Sequence, residues 1–206
     1  VNVHHFADKV EAWVGEQDIM KIEVSDERSM LLETGGAVLH ARKYLEDCGH
    51  FLIHNVDIMS DADLKWLEGQ VRDDALATLL VSRRPTKRFF LFHPGTMRLV
   101  GWHNAGTGDC IMADESLKVE DCKAYGFSGI HVMSDKVFGL MDEYVAEKGL
   151  PVDPEVGVKF PVRDFYLWAA MRAPIYGVVA EGLDLLDVGK LDALAPAEEF
   201  IKTNRI

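Results

Sequence analysis

The spacing of apolar residues changes period several times along the chain. Phe6, Val10, Trp13 and Val14 recur at helical spacing and predict a helix over 5–16. From Met20 the period shortens: Met20, Ile22 and Val24 alternate with Lys21 and Glu23, the pattern of a half-buried strand. Gly35-Gly36 then opens a second helix with Val38, Ala41 and Leu45 on one face, closing near Gly49. Residues 51–56 read as a strand. Ser60, with Asp63 three positions on, forms a capping box ahead of Leu64, Leu67 and Val71. Residues 75–81, ALATLLV, are apolar throughout, as in a strand covered on both faces. With the short β-prone segment at 1–3, the order is β-α-β-α-β-α-β. It predicts an α/β fold with a mixed, mainly parallel sheet and helices on both sides.

The pattern changes after residue 81. Residues 88–93 and 98–102 flank Pro94-Gly95, a hairpin signal that predicts an antiparallel sub-sheet. Residues 105–121 are rich in Gly and Asp and read as an irregular insertion. Residues 124–134 return to strand. Ser134 is placed to cap a helix through Phe138, Met141 and Val145 that stops at Gly149-Leu150-Pro151. A helix over 161–172, strands over 174–180 and 182–186, and a closing helix over 191–203 complete the reading.

Composition narrows the function classes. The chain has 206 residues, 48% of them hydrophobic, enough for one globular domain with its own core. The formal net charge of −12 disfavours a nucleic-acid partner, and a small anionic ligand would need a local cation or a metal. No apolar run approaches the length of a membrane span. The three cysteines, Cys48, Cys110 and Cys122, form no CxxC pair, which fits a reducing, cytoplasmic setting.

Candidate chemistry lies at strand ends. The stretch FLIHNVDI runs apolar through Phe51-Leu52-Ile53 and then places Asn55 and Asp57 at its end. LDLLDVGK repeats the device, with Asp187 after Leu185-Leu186. In open α/β sheets, ligands sit beyond the carboxyl ends of the strands. Two carboxylates there could hold one hard cation such as Mg2+, which takes one or two carboxylates plus phosphate oxygens. Alternatively each aspartate caps the turn that follows it. Gly35-Gly36 at a helix start could admit a planar or anionic ligand to the backbone, with Glu33 and Thr34 beside it, or could simply make a tight turn. The cluster RRPTKR at 83–88 is either a solvated turn or a phosphate contact using the planar fork of arginine. The eight histidines show no zinc-ligand spacing, and no GxSxG string is present. Trp13, Trp66, Trp102 and Trp168 mostly fall in core-like helical or strand patterns.

Taken in order, LLETGGAV, FLIHNVDI, FSGIHV and LDVGK resemble the motifs of the sugar-1-phosphate nucleotidyltransferase family. The likeness is to its single-domain members that make NDP-sugars, such as the N-acetylmuramate-1-phosphate uridylyltransferases and mannose-1-phosphate guanylyltransferases. The resemblance covers the whole chain. It implies a Rossmann-like three-layer fold and transfer of a nucleotidyl group from an NTP to a sugar-1-phosphate, with release of pyrophosphate. It implies that Glu33, Thr34, Gly35, Gly36 and Asn55 lie against the nucleotide. Asp57 and Asp187 would bind Mg2+ and serve catalysis, although Val56 stands where the family has Gly and Leu185 where an aromatic residue is common. Ser128 and Gly129 match positions that line the sugar, as do Trp102 and Asn104. The family's G-x-G-T-R loop and the Pro-Lys pair after it have no match. The resemblance therefore implies a single nucleotidyltransferase domain over 1–206 that lacks the N-terminal strand, signature loop and first helix. A non-catalytic nucleotide- or sugar-binding module derived from that family is the other expectation.

Overall fold

The computed structural model describes residues 1–189 and 193–204. The elements in chain order begin with Asn2–Val3 (β1), Ala7–Gly15 (α1), Ser25–Asp26 (β2), Glu33–His40 (α2) and Arg42–Leu45 (α3). Next come His50–His54 (β3), Ile58–Ser60 (β4), Leu64–Glu68 (α4), Ala77–Ser82 (β5), Arg88–Phe92 (β6), Leu99–Asn104 (β7) and Cys110–Met112 (β8). Lys123–Ser134 (β9), Val137–Lys148 (α5), Val152–Asp153 (β10), Gly157–Val158 (β11) and Val162–Ala169 (α6) follow. Ile175–Val179 (β12), Leu185–Asp187 (β13) and Leu194–Asn204 (α7) close the chain. The start of the closing helix expected at 191–192 lies outside the described residues. No helix among the described residues is long and apolar enough to cross a membrane.

The chain divides into two compact units. The first comprises Val1–Gly49 and Asp135–Ala169. Its core is aromatic: Tyr144 stacks against Phe160, Phe165 and Trp168 with ring centroids 5.4, 5.7 and 5.4 Å away. β1 and β2 pair in parallel, with Asn2 opposite Ser25. The strand expected at 20–24 is thus displaced to Ser25–Asp26. Residues 1–3 are the partner, and their hydrogen bonds go to Glu23 O, Ser25 N and Glu27 N. Ile19 and Met20 stay exposed, so that alternation did not mark a buried face.

The second unit comprises His50–Ser134 and Ala170–Ile206. Its sheet runs β12-β5-β9-β6-β7-β8, with β3 also on β9. The 12-residue β9 is the spine. Its C-terminal half pairs antiparallel with β3 and β5, and its N-terminal half with β6. β12 pairs with β5 in parallel, and β6, β7 and β8 form the antiparallel sub-sheet. Because β3 and β5 both oppose β9, they run the same way as each other and as β12. Their C-terminal ends share one edge. All six residues of β5 are buried, as its apolar run predicts. Leu67, Leu80, Ile130 and Val132 form a core cluster against which Ile58 and Val71 pack.

Three local expectations are corrected. Ser60 ends β4, opposite Leu185, and its hydroxyl accepts from Ala62 N–H; the helix cap is Asp63, whose carboxylate accepts from Trp66 N–H at 2.9 Å. Ser134 is the buried last residue of β9, and α5 begins after Lys136 with no side-chain cap. The insertion at 105–121 carries a strand, β8, whose edge pairing to β7 supplies the order that its composition lacks.

Candidate functional site

Asp57 projects from a turn built by backbone hydrogen bonds. β3 ends at His54; Asn55 N–H then donates to Gly129 O at 3.0 Å, and Ile58 N–H donates to Asn55 O at 3.2 Å. The closed turn leaves Val56 and Asp57 outward, with Val56 94% exposed. On the facing strand, Asp187 is the register partner of Ile58, and Val188 N–H donates to Asp57 O at 2.7 Å. The β4–β13 ribbon therefore holds Asp57 and Asp187 at neighbouring strand ends.

Their side chains converge. Gly189 N–H donates to Asp187 Oδ1 at 3.0 Å. A Cβ placed on Gly189 would stand 3.0 Å from Asp57 Oδ2 and 3.2 Å from Asp187 Oδ1. The two oxygens are thus separated by no more than those two distances end to end, about 6 Å, a span small enough for both carboxylates to serve one cation with a modest rotamer change. Neither carboxylate has a Lys or Arg ion-pair partner among the described residues. No group of three or more His, Cys, Asp or Glu suited to a metal occurs among the described residues. That donor set is too sparse for a protein-only calcium or zinc cage. It fits Mg2+, which keeps waters and takes its remaining oxygens from phosphates.

Behind the pair, β9 kinks. Its register against β5 shifts between Leu79 and Val81, and Gly129 sits in the left-handed region at φ 78°. A Cβ there would come within 3.0 Å of Asn55 Nδ2 and 3.2 Å of Ile58 Cγ1, so glycine is what lets Asn55 lie against the strand. Ser128 is buried: its hydroxyl donates to Leu80 O at 2.7 Å and accepts from Ile130 N–H at 3.2 Å. What Ser128 gives the site is the shape of the kink. Trp102 is buried in β7, level with Phe90 and, through it, with Tyr125. It lies two strands across and four residues along from Gly129, roughly 15 Å by strand spacing and rise. Asn104, at the C-terminal end of β7, accepts from Gly106 N–H at 2.9 Å and holds the following loop.

Glu33, Thr34, Gly35 and Gly36 belong to the other unit. Gly35 and Gly36 are buried, and both N–H groups donate to Phe160 O, at 3.0 and 3.1 Å. A Cβ on Gly35 would meet the Phe160 ring at 2.5 Å, and one on Gly36 would run into Val158 O. The pair's closest neighbour is thus the 158–160 backbone. Gly36 also lines a groove of about 710 Å³ with Leu39, His40, Asp142 and Leu150. Glu33 adopts φ 59°, uncommon for a residue with a Cβ, and lies 3.6 Å from Lys159 Nζ.

One residue escaped the sequence reading, and another was read only as part of a cluster. Gly189 was legible only as a turn residue after LDV, yet its missing side chain makes room between the carboxylates. Arg84 was one cation among several in RRPTKR, with no signal to separate it from Arg83.

Comparison with known proteins places the chain. No family model matches it. Over 146 residues it is 30% identical to the N-acetylmuramate alpha-1-phosphate uridylyltransferase of Caulobacter vibrioides, a match covering 66% of this chain and 56% of that protein. The chain thus spans little more than half the length of that curated relative. The inositol-1-phosphate CTP transferase of T. maritima superposes with a TM-score of 0.69 at 13% identity, over 99% of this chain and 75% of its own. An apo-UDP-glucose pyrophosphorylase superposes with a TM-score of 0.60 at 12% identity, over 89% and 64%. The chain is thus similar in sequence to one nucleotidyltransferase that acts on a sugar 1-phosphate, and it has the fold of the superposed structures. A third solved structure, the nucleoside-diphosphate-sugar pyrophosphorylase of Vibrio cholerae, superposes over all of this chain and 79% of its own at 13% identity and a TM-score of 0.57. The fold class expected from the motif order holds, and the sequence match is to a member of the family that the motifs resemble.

Proposed function

We propose that this chain serves nucleotidyl transfer from an NTP to a sugar-1-phosphate, giving an NDP-sugar and pyrophosphate. The observation that carries the reading is the convergence of Asp57 and Asp187 on the space left by Gly189. In this reading the two aspartates hold Mg2+. The bound ion would neutralise charge on the reacting phosphate oxygens. The acceptor phosphate is already ionised, so no side chain has to remove a proton, and the protein's work is positioning and charge balance. Gly189 keeps the gap open, Gly129 seats Asn55 beside it, and the kink at Ser128 sets the position of both. Trp102, Asn104, Ser128 and Gly129 are assigned to the sugar side. Glu33, Thr34, Gly35 and Gly36 in the first unit, and Asn55 in the second, are each assigned a nucleotide contact, and Gly36 lines a groove of the first unit.

The G-x-G-T-R loop is not among these residues. The reading takes 1–206 as one nucleotidyltransferase domain that carries the cation, nucleotide and acceptor contacts named above. The same observation supports the second reading, a non-catalytic nucleotide- or sugar-binding module. A reducing, cytoplasmic setting is part of the same reading, suggested by three cysteines, Cys48, Cys110 and Cys122, without CxxC spacing. Pyrophosphate release from UTP, GTP, CTP and dTTP with a panel of sugar 1-phosphates separates the two. Turnover that requires Mg2+ supports the transferase, binding without turnover supports the module, and neither binding nor turnover removes both.

A further inference from the structure

Arg83 and Arg84 are neighbours in sequence but not in chemistry. Arg83 is exposed, lies 3.8 Å from Glu181, and stacks its guanidinium over the Tyr125 ring at 5.3 Å. Arg84 is half-buried. Its side chain lies flat on Gly126, where a Cβ would meet Arg84 Cγ at 3.0 Å and Nε at 3.2 Å. Nη2 donates to Phe127 O at 3.0 Å, while Nε is buried with no hydrogen-bond partner. Among the described residues no carboxylate pairs with Arg84, in a chain whose net charge is −12. A half-covered guanidinium has lost hydration, and without a counterion that loss is uncompensated.

Its place in the sheet gives the charge a purpose. Arg84 follows the C-terminal end of β5, on the same edge as the ends of β3 and β12. It is anchored at Phe127 O, and Asn55, two residues before Asp57, is anchored at Gly129 O. These anchors are two residues apart on β9, roughly 7 Å by strand rise. Arg84 and the turn that carries Asp57 are therefore anchored to neighbouring positions of one stretch of β9.

Building on the transferase reading, we propose that Arg84 is an acceptor-binding residue that takes an oxyanion of the sugar substrate across β9 from Asp57 and Asp187. The oxyanion is either the 1-phosphate or a carboxylate carried on the sugar. The planar fork suits both, and the excess acid elsewhere on the protein leaves Arg84 as the local attraction for an anion.

Calorimetry on the chain with Mg2+ tests this with glucose 1-phosphate, glucuronic acid 1-phosphate and UTP, on wild type, Arg84→Gln and Arg84→Lys. The expected result is an acceptor Kd raised about tenfold or more by Arg84→Gln and partly rescued by Arg84→Lys, with UTP binding and thermal midpoint unchanged. Weakening of both acceptors assigns the phosphate; weakening of glucuronic acid 1-phosphate alone assigns the carboxylate. Unchanged acceptor affinity overturns the proposal, as does a fall in thermal midpoint with equal weakening of UTP, which would make Arg84 a brace between β5 and β9. A wild type that binds UTP but neither acceptor overturns it while leaving nucleotide binding intact. One that binds none of the three overturns the transferase reading as well.

Discussion

Asp57 and Asp187 reach toward one point from strands that pair antiparallel, and the residue at that point is Gly189. The side chain that is missing there is as much a part of the site as the two that are present. Gly189→Ala puts a methyl group 3.0 and 3.2 Å from the two carboxylate oxygens. Gly189 is exposed, so the fold should tolerate the change. The expected outcome is Mn2+ affinity reduced tenfold or more in a paramagnetic relaxation titration, with a thermal midpoint within a degree or two of wild type. Unchanged affinity would show that the cation does not sit between the two aspartates.

Gly36 makes the opposite prediction. Any Cβ there collides with Val158 O, a backbone atom that cannot swing aside. Gly36→Ala should destabilise the first unit by about 1–3 kcal/mol, the usual cost of overpacking, and Gly36→Val by more. Urea unfolding monitored by Trp168 fluorescence reads this out. A variant as stable as wild type would mean that the 158–160 segment is not held against α2.

His131 gives the second unit a pH dependence. It is fully buried, and burial alone pushes its imidazole down to about 3. In the unfolded chain the same group titrates near 6.5. The native state thus keeps His131 neutral where the unfolded state is protonated. Its contribution to stability is complete above about pH 6.5, and falls by about 1.4 kcal/mol per pH unit between there and about pH 3. Stability measured from pH 7 to 5 should show this slope, and His131→Leu should remove most of it. An unchanged slope in the variant would assign the pH dependence to other groups.

Much of the site was legible because its signals are local. An apolar run that ends in Asp is a short string: Asp187 ends β13, and Asp57 lies in the turn that leads from β3 into β4, the strand paired with β13. The hairpin at Pro94-Gly95 and the buried strand β5 were legible for the same reason. What the string could not carry was pairing between distant segments. β9 enters between β3 and β5 from the opposite direction, so a β-α-β order produced a mixed sheet with antiparallel neighbours. Asp63 and Ser60 both have cap chemistry, and the ribbon with β13 decided between them by making Ser60 a strand residue. Gly35-Gly36 was legible as room for a ligand or as a tight turn, and only the fold reveals that both N–H groups donate to the chain's own Phe160 O. Ser128 showed a hydroxyl at a strand kink, and only the fold reveals that Leu80 O and Ile130 N–H engage it.

The central claim is that Asp57 and Asp187 together hold the divalent cation that binds nucleotide and acceptor phosphates. The most direct measurement is Mn2+ binding by electron paramagnetic resonance, with and without UTP and glucose 1-phosphate, on wild type, Asp57→Asn and Asp187→Asn. The two carboxylates are predicted to act as a unit. Wild type should bind Mn2+ more tightly when a phosphate ligand is present, and either single variant should lose that coupling and weaken binding tenfold or more. Mn2+ binding that is indifferent to both substitutions, or that survives one of them at full strength, would contradict the account.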